Sequence, residues 1–299
     1  MNDKRKYLCA VSGGPDSMAL LDKYHNQISL VCHVNYQVRE SALRDTNIVI
    51  AYCKEKNIKL EILTVTEQMY DEYRKICNNF EAIARFIRYD FFLKCSKKHH
   101  LNTILIAHNL DDFLETAIMQ KQKNSKTLFY GIKKRTQYHG LNIFRPLLNV
   151  RKKDLEKYCL TNHIPYGIDE TNFCDKYTRN KIRLEIKTWQ TKKFNDTIKE
   201  YKKFNEENKN KDKLIQEIYT EWENKDYDCK LLVHHQPHVL YYVIYNFLSK
   251  NNIKKISSDK ISNIIDFIIK GKGNSEIRLG GNIFLQKQKN RIKILNQSL

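Results

Sequence analysis

A loop with the composition needed to bind phosphate follows the first β-type run; it consists of Ser12, Gly13, Gly14, Pro15, Asp16 and Ser17. The two glycines let the backbone approach a phosphate closely, the serines add hydroxyl donors, and the helix that follows supplies aligned N–H groups. The loop lacks the lysine of the G-x-x-x-x-G-K-[ST] pattern, which would reach a γ-phosphate. The alternative is an ordinary strand-to-helix turn with a polar cap. We predict a loop that binds pyrophosphate as a leaving group.

Three acids, Asp111, Asp112 and Glu115, open a helical run within residues 107–116. Spacings of three and four place their carboxylates on one arc of the helix. Such a group could hold Mg²⁺ beside a triphosphate or orient an ammonium nucleophile. Acids also favour helix N-termini for electrostatic reasons alone, but this helix leaves the carboxyl end of a strand, which favours a functional role. His108, taken alone, is more often a hydrogen-bonded core histidine than a ligand.

Arginines form two further groups. Arg85 and Arg88 share a face with Glu81 in the helical run 79–89, and Arg179 and Arg183 are four residues apart. The forked guanidinium suits phosphate because it donates two parallel hydrogen bonds. The alternatives are a Glu81–Arg85 ion pair on a solvated face and a capped surface helix.

The elements that must position these groups alternate between strand and helix in the first half of the chain. Strands are predicted at 7–11, 28–35, 59–65 and 103–107, and helices at 16–24, 41–56, 81–100 and from 111 onward. This alternation predicts an α/β fold, a doubly wound, Rossmann-like parallel sheet with helices on both faces. In such folds ligands bind beyond the carboxyl ends of the strands, where the motifs fall.

The second half is organised differently. A helical run at 150–163 precedes a Pro–Gly break, and residues 187–212 are rich in Lys, Asn and Glu with few apolar anchors, as in a solvated helix or linker. In the tail, the residue pattern predicts helices at 238–249 and 259–270 and a β-hairpin unit at 276–295. We therefore divide the chain into a catalytic α/β domain (1–186), a helical, charged linker (187–225) and a small α+β C-terminal domain (226–299).

The composition of the chain limits which classes of partner and which cellular compartment are expected. The formal charge of +19, with a pI near 9.4, favours a polyanionic partner such as RNA, although a codon bias toward Lys, Asn and Ile would also raise it. No apolar stretch approaches the roughly 18 residues of a membrane span, and no signal peptide is visible, so a cytoplasmic location without a membrane partner is expected. Eight cysteines without a C-x-x-C pair indicate buried, reduced thiols.

In their chain order the motifs resemble the tRNA(Ile)-lysidine synthetases of the N-type ATP pyrophosphatase (PP-loop) superfamily over roughly residues 7–185. The matching segments are 12–17, His33-Val34-Asn35 with Arg39, Ser41 and Asp45, then 81–89, 107–116, Arg145-Pro146-Leu147 and 169–183. The tail is similar to the family's small tail domain more loosely. Two departures stand out: His108-Asn109 replaces a His–His pair, and the 120–131 loop carries lysines instead of its usual glycines.

The resemblance implies a two-step reaction at the wobble cytidine (position 34) of a CAU anticodon in tRNA(Ile). ATP adenylates the C2 oxygen of the base and pyrophosphate leaves. The ε-amine of free L-lysine then attacks C2 and expels AMP, which leaves lysidine.

The resemblance also implies roles for individual residues. Catalysis is assigned to Asp16, Asp111, Asp112, Glu115 and Arg85, with Mg²⁺ on Asp16 and Asp112, and with Asp111 or Glu115 at the lysine amine. ATP contacts are assigned to the 12–17 loop, His33, Asn35, Arg88 and His108, and RNA contacts to Arg179, Arg183, Lys133 and Lys134.

Three alternatives stay open at this point. A tRNA sulfur transferase of the same superfamily would usually need paired or catalytic cysteines, and C-x-x-C is absent. A non-catalytic RNA-binding protein would not need an intact Ser-Gly-Gly-x-Asp-Ser loop, and a small-molecule amide ligase would not explain the basic charge. A homodimer is also compatible with the sequence.

Overall fold

The computed structural model describes residues 6–37, 41–74, 79–123, 127–167, 176–251, 253, 256–271 and 273–296. The chain forms two compact units, Met1–Phe204 and Asn205–Leu299. Three parts of the predicted motifs lie outside the described residues: Arg39, the 169–175 segment and residues 124–126 of the lysine-rich loop.

A six-stranded sheet forms the centre of the first unit, in the order β3-β2-β1-β4-β6-β5. Its strands are β1 (Tyr7–Ala10), β2 (Ile28–Asn35), β3 (Lys59–Thr64), β4 (Thr103–Leu105), β5 (Arg135–Tyr138) and β6 (Leu141–Phe144). All neighbours are parallel except β5, which pairs antiparallel with β6. The structure therefore confirms the predicted α/β class and adds a terminal β-hairpin that the sequence did not indicate.

Eight helices of the described residues accompany this sheet. They are α1 (Pro15–Tyr24), α2 (Ser41–Glu55), α3 (Glu67–Arg74), α4 (Phe80–His99), α5 (Leu110–Gln122), α6 (Lys152–Thr161), α7 (Lys176–Lys187) and α8 (Thr191–Glu207). Helices α1, α2 and α6 bury one face of the sheet around Cys9, and α4 buries the other around Leu8. Adjacent residues of β1 thus point into two separate cores, as expected for a parallel strand covered on both sides.

Helix α8 differs from the prediction of a sparsely anchored segment. Phe194, Ile198 and Tyr201 are buried in one cluster with Phe113 and Ile182, which lie on α5 and α7. Their spacing of four and three residues makes a single apolar stripe. The lysines on the remaining faces hide this stripe in the composition of the segment.

A hydrogen-bonded carboxylate joins three helices on the α1 side of the sheet. Asp22 of α1 accepts from the Tyr52 hydroxyl of α2 at 2.6 Å and from the Tyr158 hydroxyl of α6 at 2.5 Å. The ammonium group of Lys23 lies 3.4 Å from the centre of the Tyr158 ring. These contacts fix α1, whose N-terminus carries the phosphate loop, relative to α6.

The second unit is helical with a small sheet. Helices α9 (Lys209–Asn224), α10 (Pro237–Lys250) and α11 (Ser258–Lys270) precede the antiparallel strands β7 (Ser275–Gly280), β8 (Ile283–Gln288) and β9 (Arg291–Asn296). Trp222 and Phe247 pack together with ring centres 5.3 Å apart. The predicted hairpin unit is present as three strands.

Six of the cysteines, at positions 9, 32, 53, 95, 159 and 229, are buried, as the sequence predicted for these positions. Among the described helices, none combines the length and apolar character needed to cross a membrane.

The Tyr158→Phe variant should lower the free energy of unfolding of the first unit by about 1–2 kcal/mol, because it removes a hydrogen bond to a charged carboxylate. Urea denaturation followed by circular dichroism measures this. Tyr24→Phe is the matched control, since the Tyr24 hydroxyl has no hydrogen-bond partner within the described part of the chain. Equal losses in both variants would contradict a specific role of the Asp22 contacts.

Candidate active site

The loop after β1 folds onto itself before α1 begins. The Ser17 hydroxyl donates to the Gly14 carbonyl at 2.9 Å and lies 3.2 Å from the Ser12 amide nitrogen, which donates to it. Gly14 is the N-cap of α1 and Pro15 occupies its first turn, where a missing N–H costs nothing. The remaining N–H groups of the first turn point out of the helix end, as phosphate binding requires.

Two glycines let a buried carboxylate pack against this loop. Gly13 has a φ of +90°, and a Cβ atom there would lie 2.9 Å from the Asp45 Cβ. Gly167 donates its N–H to the Gly13 carbonyl at 2.9 Å, and a Cβ atom at Gly167 would overlap the Asp45 carboxylate. Asp45 also accepts from Arg44. Gly13 is therefore required for backbone conformation and close approach, and Gly167 is required for close approach alone.

A cavity of about 350 Å³ opens beside the loop, at the carboxyl ends of β1 and β4. Its lining includes apolar and aromatic side chains, those of Cys32, Val34, Tyr36, Tyr89, Phe92 and Ile106. The lining also contains the loop itself and four cationic side chains, Arg85, Arg88, Lys152 and Arg183. A cavity that combines apolar surface with several cations suits a nucleotide, which has both a base and phosphates.

Asp16 is the acid of the loop that faces this cavity. Burial raises the pKa of Asp16 to about 6; Lys152 opposes the shift, Asp112 adds to it and a hydrogen bond from Asn109 opposes it. One carboxylate oxygen, Oδ1, is buried and has no hydrogen-bond partner among the described residues. An unsatisfied buried carboxylate oxygen beside a second carboxylate is a setting that a divalent cation would stabilise.

Asn109 and Asp112 close the N-terminus of α5 with a reciprocal pair of hydrogen bonds. The Asp112 N–H donates to Asn109 Oδ1 at 2.9 Å, and the Asn109 N–H donates to Asp112 Oδ2 at 3.0 Å. Asparagine is among the preferred N-cap residues, so it fills this position well where a His–His pair was expected. One oxygen of Asp112 is thereby committed to the cap.

Asp111 is engaged by a neighbouring helix. Arg151 donates to both of its carboxylate oxygens at 3.0–3.2 Å, and the Lys152 N–H donates to Oδ2 at 2.8 Å. The Arg151 guanidinium lies 3.4 Å from the centre of the Phe194 ring. Asp111 thus joins the N-terminus of α6 to α5 and places Lys152 at the cavity.

Glu115 is buried, 4% exposed, and joins α5 to α7. Arg179 Nε donates to one carboxylate oxygen at 2.8 Å and Arg183 Nε donates to the other at 2.7 Å. Both guanidinium groups also lie within 3.6–3.8 Å of Asp112. The predicted acidic and basic groups therefore meet in space, and Glu115 aims Arg183 into the cavity.

His108 lines the cavity and accepts a hydrogen bond from Arg145 Nε at its Nδ1 atom, at 3.0 Å. The pKa of His108 is lowered to about 3, first by burial and then by the positive charges of Arg145, Arg88, Arg179 and Arg85. The ring is therefore neutral at physiological pH. Arg85 stacks over Tyr89, 4.6 Å from the ring centre.

His33 and Asn35 lie beside the main cavity rather than on its wall, along a side pocket of about 50 Å³. His33 is 2% exposed, and its ring nitrogens contact the Val11 carbonyl at 2.8 Å and the Thr46 hydroxyl at 2.9 Å. Burial lowers the pKa of His33. Asn35 accepts from the Gln37 N–H at 2.9 Å. These contacts support the loop from behind.

Lys133 and Lys134, assigned to RNA, precede β5 and are not among the residues that line the cavity. Their carbonyl oxygens accept from Arg145, and their ammonium groups lie near the rings of Phe129 and Phe144. The structure thus places the backbone of Lys133 and Lys134 against Arg145, which in turn contacts His108.

Sequence reasoning gave no role to Lys152 and did not assign one to Arg145. Lys152 lies in a predicted helical run whose lysines all look alike, and only the fold separates it from Lys153. Arg145 carried a signal, since it belongs to the Arg-Pro-Leu motif. Its distance of 37 residues from His108 concealed the contact.

The comparisons with known proteins agree with this geometry. A family model described as a PP-loop domain matches residues 1–189. A tRNA(Ile)-lysidine synthase of Ureaplasma parvum is 46% identical over 263 residues, which cover 88% of this chain and 79% of that protein. Those of Malacoplasma penetrans and Mycoplasma genitalium are 41% and 36% identical, over 97% and 100% of this chain and 98% and 100% of their own lengths.

Among solved structures, a U34-tRNA thiolase from Methanococcus maripaludis superposes with a TM-score of 0.53 at 19% identity. The match covers 69% of this chain and 74% of that one. At this identity the match shows a shared fold.

The Asp16→Asn variant should be more stable than the wild type at pH 7.5. An aspartate ionises near pH 4 in an unfolded chain but near pH 6 in this fold. The ionised carboxylate therefore costs stability that grows from about pH 4 and is complete above pH 6, where it reaches about 3 kcal/mol. Asparagine carries no such cost.

Chemical denaturation of both proteins at pH 5 and pH 7.5 measures this difference, which should be smaller at the lower pH. Asp196→Asn, an exposed carboxylate on α8, is the control and should show no pH-dependent gain. A loss of stability in Asp16→Asn at pH 7.5 would contradict the unsatisfied burial of Asp16.

The Lys152→Met variant should weaken binding of ATP about tenfold, because one charge-assisted hydrogen bond to phosphate is lost. Lys153→Met, one residue further along α6 and not among the residues lining the cavity, should change the Kd less than twofold. Isothermal titration calorimetry with MgATP compares the two. Similar affinities in both variants would remove Lys152 from the phosphate site.

Proposed function

This chain belongs to the PP-loop tRNA(Ile)-lysidine synthase family, and we propose that it attaches lysine to C2 of the wobble cytidine of a CAU-anticodon tRNA(Ile), at the expense of ATP. The observation that carries the proposal is the cavity between β1 and β4, where a pyrophosphate-type loop with its buried Asp16 and four cations converge. ATP use follows from the PP-loop family. The resemblance on which the sequence analysis rested is confirmed.

The first step is transfer of the adenylyl group to the C2 oxygen of the base. The loop N–H groups and the serine hydroxyls receive the charge of departing pyrophosphate, which is the stabilisation that lowers the barrier. Lys152 and Arg183 supply the cations that the loop lacks, and they reach the cavity from α6 and α7. The positive charge is thus delivered by side chains distant in sequence.

Asp16 and Asp112 fit a Mg²⁺ ion, because Asp16 has an orphan buried oxygen and Asp112 raises its pKa. Mg²⁺ takes few protein ligands and fills its shell with phosphate and water, so two carboxylates suffice. When bound, the ion would neutralise phosphate charge.

The acids expected to bind the lysine amine are better supported in another role. Asp111 is held by Arg151, and both oxygens of Glu115 accept from Arg179 and Arg183. A carboxylate already paired with a guanidinium gains little by meeting an ammonium as well. We infer that Asp111 and Glu115 position cations.

The second unit is proposed to bind tRNA. Its small sheet carries exposed cations at Arg278, Lys289, Arg291 and Lys293. Cations spread over one small element suit a polyanionic backbone, whose contact is sequence-independent and sensitive to salt. The proposed functional division remains a catalytic domain at 1–186, a linker at 187–225 and an RNA-binding domain at 226–299.

The wild-type protein, incubated with ATP, Mg²⁺, radiolabelled lysine and a CAU-anticodon tRNA(Ile) transcript, should release AMP and transfer alkali-stable label to the RNA. The same anticodon in a tRNA(Met) transcript is the control and should remain unlabelled. AMP formation without label would reject lysine as nucleophile and direct attention to sulfur donors. Absence of both from folded protein would reject the proposed reaction.

A further inference from the structure

Arg145 is a buried arginine, 5% exposed, and no carboxylate pairs with it within the described residues. Its Nη1 donates to the Lys133 carbonyl at 2.8 Å and to the Thr136 hydroxyl at 2.9 Å, and its Nε donates to His108 Nδ1 at 3.0 Å. Burying a guanidinium without a carboxylate is unfavourable. Such an arrangement points to a function for the charge.

The contact with Arg145 decides the chemistry of His108. A guanidinium only donates hydrogen bonds, so Nδ1 of His108 must accept, and the single ring proton of the neutral imidazole resides on Nε2. Catalytic histidines that act as bases usually have the opposite arrangement, with Nδ1–H donating to a carboxylate that raises their basicity. His108 therefore has the polarity of a donor rather than a base.

Nε2 is also the atom that remains available. His108 lines the cavity and is partly exposed there, and its only hydrogen bond to the described residues is the one from Arg145. Arg85 and Arg88 line the same cavity. An N–H group at a cation-rich wall is suited to an anionic oxygen.

Burial, followed by the surrounding positive charges, keeps the ring neutral. Arg145 approaches from β6, Arg88 and Arg85 from α4, and Arg179 from α7, and each of them lowers the pKa of His108 below the value that burial alone would give. A neutral histidine donating to a developing oxyanion is an effective electrophile. It needs no proton exchange during the reaction.

We propose that Arg145 is a positioning residue that locks His108 as a neutral Nε2–H donor to a phosphate oxygen of the bound ATP. This role rests on the proposed function, because the oxygens of the α-phosphate gain charge when the base oxygen attacks. His108 stabilises that charge directly, and Arg145 acts through His108.

Nitrogen-15 NMR of histidine-labelled protein tests the tautomer without any substrate. His108→Gln identifies the resonances. In the wild type, Nδ1 should be unprotonated and Nε2 protonated, with no titration between pH 5.5 and 8. Arg145→Met should raise the pKa of His108, while burial and the other arginines still hold it below its ordinary value of about 6.5. A wild-type ring that carries its proton on Nδ1, or that titrates near neutrality, would overturn the proposal.

The steady-state rate of AMP formation with tRNA(Ile) tests whether the His108 donor contributes to catalysis. His108→Ala should lower kcat about 100-fold, as loss of one oxyanion donor does. His108→Gln retains an N–H at the Nε2 position and should recover most of this loss. Arg145→Met should lower kcat about tenfold in the wild-type background and less than twofold in the His108→Gln background.

Arg135→Met is the matched control, since Arg135 lies on the same β5–β6 hairpin and stacks on Phe144 outside the cavity. Its kcat should stay within about twofold of the wild type. An equal effect of Arg145→Met in both His108 backgrounds would show that Arg145 does not act through His108 and would overturn the assignment. Since the NMR measurement needs no substrate, its result stands even if the proposed reaction fails.

Discussion

The adjacency of β1 and β4 at the centre of the sheet is the constraint on which the site depends. The strand order reverses here, because the chain continues from β1 to β2 on one side and β4 is flanked by β6 on the other, so the connections after the two strands separate and a crevice opens between them. The phosphate loop follows β1 and His108 follows β4. The cations Arg85, Arg88, Lys152 and Arg183 reach this crevice from α4, α6 and α7.

Ion pairs between acids of α5 and arginines of two other helices hold the residues around the site in place. The acids of α5 hold arginines from two other helices: Asp111 pairs with Arg151 of the α6 N-terminus, and Glu115 pairs with two arginines of α7. Each pair is partly buried, so its partners are oriented by short hydrogen bonds rather than by long-range attraction. The excess of positive charge then faces the cavity, where an anionic substrate can neutralise it.

The site keeps two features that a purely stable fold would avoid. Within the part of the chain that the structure describes, Asp16 has a buried oxygen without a partner, and Arg145 is buried without a carboxylate. Both cost stability in the protein alone, and both become favourable when a cation or an anion arrives beside them. The dense core on each side of β1, together with the three-helix contact at Asp22, offsets these costs.

The sequence by itself determined the strand–helix alternation, the parallel sheet and the phosphate loop, because periodic burial and glycine-rich turns are local properties written in adjacent residues. It also pointed to the acids of α5 and to the arginines of α4 and α7, which the fold brings to the cavity or next to it. It did not reveal the apolar stripe of α8, which is diluted by lysines, or the β5–β6 hairpin, whose strands have only four residues each.

Only the tertiary structure decided what those residues do to one another. Glu115 and Arg179 are 64 positions apart, Arg145 and His108 are 37 apart, and no periodicity links them. Because of these contacts, a candidate catalytic acid, Glu115, holds arginines in place. A candidate nucleotide ligand, His108, is a neutral hydrogen-bond donor. Partner choice among many similar charges depends on distance and burial, which are created when the elements pack.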